Sequence, residues 1–325
     1  MAVDVAAASY TTRRVGLILG VDGGNSKTAL LVATTEGELV ASLRGPGTNT
    51  HAVGPDAVAD VIGALVAESG AALPVDHGVF FLCGADAPSD IAGLEQAIGA
   101  RGWARELTVD NDTFALLRAG TDAPDAVAVV CGAGINVVGR ASGGRIARYP
   151  SLGWETGDWG GAVMLGREVL RLAARGEDGR GEPTALVELV RTHFGTATVE
   201  EVGADVYYGR LPEARLADLA GQVVAAAAAG DAVAWSLVER LAVEIGLLAR
   251  RALRDLGLAE ADVVLGGGML QGGEGPLYEA ALEYLPKGAR VVAAQDPPVL
   301  GAALAALDAA GASDGAKARL RGELR

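Results

Sequence analysis

Two hydrophobic rhythms alternate along the chain. Short apolar or β-branched runs bounded by glycine predict strands, and apolar residues three and four apart predict helices. The first strand run, Val15 to Leu19, leads through the turn Asp22-Gly23-Gly24-Asn25-Ser26 into a second, Thr28 to Thr34. Glu36-Gly37 then turns the chain into a third, Leu39 to Leu43. About 110 residues later the succession returns. Ala126 to Val130 is apolar, Gly132-Ala133-Gly134-Ile135-Asn136 turns, Val137 to Arg140 continues, and Ser142-Gly143-Gly144 leads into Arg145 to Tyr149. Gly24 aligns with Gly134 and Ser26 with Asn136. A repeated strand-turn-strand-turn-strand unit predicts duplicated domains.

Helical periodicity fills the intervals. Pro55 to Ala72 places Val58, Val61, Ile62, Leu65 and Val66 on one face, and Asp90 to Ala100 is a second helix, with a strand at Val79 to Leu82 between them. Leu107 to Val109 reads as a short strand and Thr113 to Ala119 as a helix joining the repeats. Beyond the second repeat, helices are expected over Ala162–Arg175, Glu182–His193, Leu216–Ala229 and Ala232–Leu256. Strands follow at Asp262–Leu265 and Val291–Ala294, and Pro297-Pro298 opens a helix over Val299–Ala310. The stretch from Gly311 reads as a loose tail. The fold class is α/β, with mixed sheets and two lobes.

Backbone amides in a tight glycine turn converge into an anion nest, and a missing Cβ lets a polyphosphate approach. Two such turns at equivalent places could grip one polyphosphate from both sides, and the first adds Asp22, Ser26 and Lys27. A P-loop is excluded, because Ser26-Lys27-Thr28 lacks the glycine before lysine and leads into a strand. A dinucleotide fingerprint would need glycine where Val137 stands.

Composition narrows the partners. The 325 residues allow two ordinary domains. Half of them are hydrophobic, yet no run reaches the roughly 20 apolar residues of a membrane helix, and Val-Gly-Leu-Ile-Leu-Gly is too short for a signal-peptide core. A cytoplasmic location with a flexible segment before Val15 is expected. A net charge of −14 without clustered Lys or Arg argues against nucleic acid. Three lysines stand against 24 arginines, so Lys27 inside a glycine loop is conspicuous. The cysteines, Cys83 and Cys131, have no metal or redox spacing, and both are expected at strand ends facing the cleft.

Three polar stretches remain. Asp110-Asn111-Asp112 sits between the short strand and the joining helix, where a carboxylate would face a cleft between lobes and could accept a hydroxyl proton, and where Asp112 also suits a helix N-cap. Gly153-Trp154-Glu155-Thr156-Gly157-Asp158-Trp159-Gly160-Gly161 combines aromatic faces with carboxylates, which suits sugar recognition, although either tryptophan could anchor the loop in the core. Thr48-Asn49-Thr50-His51 could add an amide to the same pocket.

These motifs together resemble the N-acetylglucosamine kinase branch of the BadF/BadG/BcrA/BcrD ATPase family, in the actin, sugar kinase and heat-shock chaperone superfamily. The resemblance rests on the Gly20–Thr28 loop, Asn111-Asp112, Cys131–Asn136, Gly157–Gly161, Asp178–Thr184, Leu265–Gly268 and Pro297–Ala302, and it spans about Val15 to Ala310. It implies duplicated ribonuclease-H-like, actin-like ATPase domains with mixed sheets flanked by helices. The small lobe would cover 15–118, with a helix at about 299–312 packing back towards it, the large lobe 119–298, and a tail 313–325. It implies ATP and Mg2+ as cofactors and a 6-phosphorylated amino sugar, N-acetylglucosamine first, as product. Asp112 would be the base for the C6 hydroxyl, and Asp22 would hold Mg2+ through water. Thr48, Asn49, Gly84, Asp86, Asn136, Gly153, Trp154, Glu155 and Asp158 would bind the sugar. Gly23, Gly24, Asn25, Ser26, Lys27, Gly132, Ala133, Gly134, Gly266, Gly267, Gly268 and Met269 would bind the nucleotide. Cleft closure would hinge near Ala119–Asp125 and Gln295–Pro298, and a homodimer would form through the helical lobe. The family pattern has Gly-Gly-Gly-Thr where this chain has Gly23-Gly24-Asn25-Ser26, and Gly-Thr-Gly-Ser where it has Gly132-Ala133-Gly134-Ile135. Glucosamine, N-acetylmuramate and other hexoses stand as alternative substrates. The family's iron–sulfur activators of a 2-hydroxyacyl-CoA dehydratase stand as an alternative class.

Overall fold

The structure is a computed structural model that describes residues 15–270 and 272–324, so the segment expected to be flexible before Val15 lies outside the described residues. Strands β1 (Leu17–Gly23), β2 (Lys27–Thr34) and β3 (Leu39–Pro46) form the first antiparallel meander. One helical turn, α1 (Thr50–Val53), and helix α2 (Pro55–Ser69) lead to β4 (Val75–Leu82), α3 (Pro88–Gly99) and β5 (Ala104–Asn111). Strands β4 and β5 add to β1 in parallel. Helix α4 (Thr113–Gly120) crosses to the second meander, β6 (Ala126–Cys131), β7 (Ile135–Ala141) and β8 (Arg145–Arg148). Six helices follow in two stretches: α5 (Gly161–Glu177), α6 (Leu186–Phe194), α7 (Val199–Tyr207), α8 (Ala220–Ala228) and α9 (Ala232–Leu256), then α10 (Pro276–Tyr284) after strand β9 (Ala261–Gly266). Strand β10 (Ala289–Ala293) and helices α11 (Pro298–Ala309) and α12 (Asp314–Glu323) complete the chain.

The sheets run β3-β2-β1-β4-β5 and β8-β7-β6-β9-β10. Each has an antiparallel meander whose first strand carries two parallel strands, which is the duplicated ribonuclease-H-like architecture. Apolar positions explain the layering. Leu19, Val21 and Leu30 pack under α2 and α3, while Ile18, Leu31 and Val79 on the opposite face join α4 and α11 in a core shared with Ala128, Val138 and Val264 of the second sheet. The outer face of that sheet is covered by α5 to α10. Among the described residues no helix is long and apolar enough to cross a membrane.

Helix α11 lies against β1 and crosses α4 at backbone distance. A Cβ at Gly20 would stand 2.3 Å from the Ala303 amide nitrogen, and one at Gly301 would stand 1.9 Å from the Ala115 carbonyl oxygen. Charge closes the exposed end of this layer. The nearly buried Arg118 forks onto Asp308 (Nε–Oδ2 2.6 Å, Nη2–Oδ1 3.2 Å) and also reaches Asp122, and Arg321 of α12 reaches Asp296 at 2.7 Å. Arg118→Ala leaves Asp308 paired with Lys317 and Asp122 with Arg321, and both carboxylates are well exposed, so it should cost about 1–2 kcal/mol, below the 3–5 kcal/mol of a fully buried pair. Urea unfolding beside the wild type measures it, and an unchanged midpoint would reduce the cluster to surface decoration.

The expected loose tail is a helix instead. Ser313 caps α12, Ala316 and Leu320 are buried, and Glu323 accepts from the Leu39 amide at 2.9 Å. Helices α7 and α10 lie outside the predicted elements, and β1 continues through Asp22 and Gly23, which the glycine pattern assigns to the turn.

Candidate active site

A cleft of about 880 Å3 opens between the sheets. The tips of both meanders enter it, for a local reason. Strands β1 and β2 must reverse within Gly24–Ser26, and β6 and β7 within Gly132–Gly134, so each hairpin closes on one internal bond, Gly24 N–H to Lys27 O (2.9 Å) and Gly132 N–H to Gly134 O (2.9 Å). The Gly24 carbonyl is taken by the Thr48 amide, and the Gly132 and Ala133 carbonyls by the Ala162 and Val163 amides of α5. Within the described residues, the N–H groups of Asn25, Ser26, Ala133 and Gly134 have no acceptor. Two pairs of free amides therefore border one cavity, with the Lys27 ammonium beside them, and such a pair of nests suits a polyphosphate.

Asp112 stands at the floor, where β5 ends and α4 begins. Its side chain does not cap α4; Asn111 does, accepting from the Thr113 amide at 2.9 Å. The expected cap role thus falls to the neighbour, and the Asp112 carboxylate is left for the cleft. Burial first, then the Asp22 and Asp86 carboxylates, push Asp112 up to about 7. Asp22, at the end of β1, is raised to about 6 by burial, against the pull of Lys27. A carboxyl group near pH 7 has the proton affinity a general base needs.

Amides and hydroxyls fix the rest of the floor. Asn111 Nδ2 donates to Asp86 (2.7 Å), Asn136 Nδ2 approaches Asn111 Oδ1 (3.4 Å), and the Ser151 hydroxyl donates to Asn136 Oδ1 (2.6 Å). Asp86 is raised, chiefly by burial. Of the sequence-predicted residues, Asp22, Gly24, Asn25, Ser26, Lys27, Asn49, Gly84, Asp86, Asp112, Gly132, Ala133, Gly134, Asn136, Gly153, Trp154, Glu155 and Asp158 line the cleft.

Others do not. Thr48 is fully buried, its hydroxyl paired with that of Thr28 at 3.0 Å, so it holds the strand segment rather than a ligand. Gly23 is buried in β1. Gly266, Gly267, Gly268 and Met269 sit behind the second hairpin: the Met269 amide donates to Cys131 O (3.0 Å), and a Cβ at Gly267 would stand 2.4 Å from that oxygen. The tryptophans part company. Trp154 is 77 % exposed at the cleft rim, whereas Trp159 is a core residue under the Arg240 guanidinium. The cysteines part likewise. Cys83 lines the cleft, but Cys131, expected to face it, is fully buried against Met269. Burial raises both thiols to about 12, with the Asp112, Asp86 and Asp22 carboxylates adding to it at Cys83.

Sequence reasoning missed Ser151 and Arg167, and it named His51 and Asn111 within motifs without a role; all four are on the cleft wall. Arg167 follows Val163 and Met164 at helical spacing on α5, a signal that was available.

A family model, the BadF/BadG/BcrA/BcrD ATPase family, matches residues 19–306. Over 254 residues the chain is 26 % identical to an N-acetylmuramic acid/N-acetylglucosamine kinase of Clostridium acetobutylicum, covering 76 % of this chain and 83 % of the relative. It is 23 % identical over 313 residues to an N-acetyl-D-glucosamine kinase of Dictyostelium discoideum, covering 90 % and 98 %. A solved Chromobacterium violaceum structure, provisionally assigned as an N-acetylglucosamine kinase, superposes with a TM-score of 0.67 at 23 % identity, covering 89 % and 98 %, which speaks to the fold.

Proposed function

The chain belongs to the BadF/BadG/BcrA/BcrD ATPase family, and from that premise we propose that it transfers the terminal phosphoryl group of ATP to the 6-hydroxyl of an amino sugar, N-acetylglucosamine first. The observation that carries this reading is the pair of hairpins with free amides facing one raised carboxylate across a single cleft. In phosphoryl transfer the protein chiefly positions groups and offsets charge. Here the amides at 25, 26, 133 and 134 would hold the phosphates, with the loop Gly266–Met269 behind them for the adenosine end. Asp112 would take the proton from the hydroxyl, and Asn49, Asn136, Trp154, Glu155 and Asp158 would orient the ring.

Asp22 fits a Mg2+ site in its chemistry: a hard oxygen donor at the cleft, beside the first hairpin. Among the described residues no three His, Cys, Asp or Glu side chains gather into a ready-made metal site. The cation would therefore be held by Asp22, water and the nucleotide's own phosphates, a pattern usual for Mg2+. When bound it would neutralise phosphate charge. A cytoplasmic homodimer joined through the helical lobe belongs to the same reading. The iron–sulfur alternative loses support from Cys131, whose thiol lies in the core where a cluster shared between subunits cannot reach it.

ADP release measured with N-acetylglucosamine, glucosamine, N-acetylmuramate and glucose tests the proposal. N-acetylglucosamine should raise turnover well above the rate with ATP alone. If none of the four does, the reading is wrong.

A further inference from the structure

The first hairpin and the sugar side of the cleft are joined by one side chain. Asn49 Nδ2 donates to Asn25 Oδ1, and the Cys83 thiol approaches the same oxygen at 3.8 Å. The other end of the Asn49 carboxamide is also committed, its Oδ1 accepting from the His51 amide at 3.0 Å. A primary carboxamide has two N–H donors and two acceptor sites. One of each is used, which leaves one donor and one acceptor on a plane whose orientation is fixed from both ends. That remaining pair matches a hydroxyl, which both donates and accepts.

We infer that Asn25 is a positioning residue: from the phosphate-holding hairpin, its side-chain oxygen orients the Asn49 amide that meets the sugar. The inference rests on the sugar kinase reading above. Backbone contacts already seat the two segments on each other. The Thr48 amide donates to Gly24 O at 2.9 Å, and Gly47 lies so close to Asn25 that a Cβ there would stand 2.0 Å from its carbonyl oxygen. Removing the Asn25 side chain therefore leaves the Asn49 amide held at its Oδ1 end alone, with its backbone undisplaced. The division of labour within Asn25 is also clear. Its amide N–H serves the phosphates and its side-chain oxygen serves the sugar side.

Two substitutions separate these parts, with kcat and both KM values as readouts. Asn25→Ala keeps the backbone N–H and loses the acceptor. It should raise the sugar KM by about 3- to 10-fold, the factor expected of one lost hydrogen bond, and leave the ATP KM within about twofold. Asn25→Asp restores the acceptor and should return the sugar KM to near the wild-type value, while its new charge beside the phosphates raises the ATP KM. An unchanged sugar KM in Asn25→Ala, or equal changes in both KM values in both variants, would overturn the inference. Wild-type turnover with an amino sugar is the separate check on the functional reading. If it is absent, that reading falls and takes this one with it, and if it is present, the variants judge the inference alone.

Discussion

Asp112→Asn should turn sugar over about 10²–10⁴-fold more slowly while the ATP KM stays within a few-fold of wild type, because a general base contributes to the proton transfer and not to nucleotide binding. The change is nearly isosteric, and the native carboxylate makes no helix cap that would be lost. A pH profile adds a second readout. Burial and the Asp22 and Asp86 carboxylates hold Asp112 at about 7, so kcat/KM should fall about tenfold per unit as pH drops below that value and level off above it. Stability should move the other way. With the folded pKa above the usual carboxylate value of 3.8, the native state binds the proton more tightly than the unfolded chain, and stability is lost as pH rises from about 4 to about 7. Asparagine removes that cost, so Asp112→Asn should be more stable than wild type at pH 8, by on the order of 4 kcal/mol. Full turnover in the variant, or a profile without an acidic limb, would remove Asp112 from the mechanism.

Gly161→Ala should weaken nucleotide binding by about tenfold or more and lower stability by about 2–4 kcal/mol. Gly161 opens α5 at φ +78, and an added Cβ would stand 2.4 Å from Gly134 Cα and 2.6 Å from Ala133 O. Strained backbone costs about 1–3 kcal/mol and forced overpacking about as much. Relief must come from moving the second hairpin, whose Gly132 and Ala133 carbonyls are tied to the first turn of this helix. Gly134→Ala is the control, since nothing lies within 4 Å of a Cβ there and its φ is not in the left-handed region. It should fold with nearly wild-type stability. Thermal unfolding of both variants and titration of Gly161→Ala with a nucleotide analogue decide the matter, and equal stability of the two variants would show that the hairpin does not depend on α5.

What the sequence made legible were features written in local chemistry. Strand rhythm, the two glycine turns and the echo between them located both sheets and the cleft. Asp112 could be chosen because it stands between a strand and a joining helix, but whether it or Asn111 capped that helix depended on one side-chain rotation. Thr48 reads as polar in sequence, and only the pairing of β2 with the segment after β3 brings it against Thr28. Trp154 and Trp159 differ by only five positions, yet one is exposed and the other lies in the core under Arg240 of α9. Helix α12 has few apolar positions, Ala316 and Leu320 among them, so its pattern was too sparse to register, although Ser313 offered a cap. The start of α7 is written in the sequence as the Thr198–Glu201 capping box.

The crossing of α11 over α4 and β1 has a consequence for how the chain can be divided. Duplication suggests two modules that could be cut apart in sequence, yet residues 298–309 supply the inner cover of a sheet whose strands all lie before residue 112. A fragment ending after α4 would keep α4 but strip the α11 cover from Ile18, Leu31 and Val79, and the remainder would carry an orphaned apolar helix. The halves repeat one sheet topology and yet interlock like clasped hands through α11.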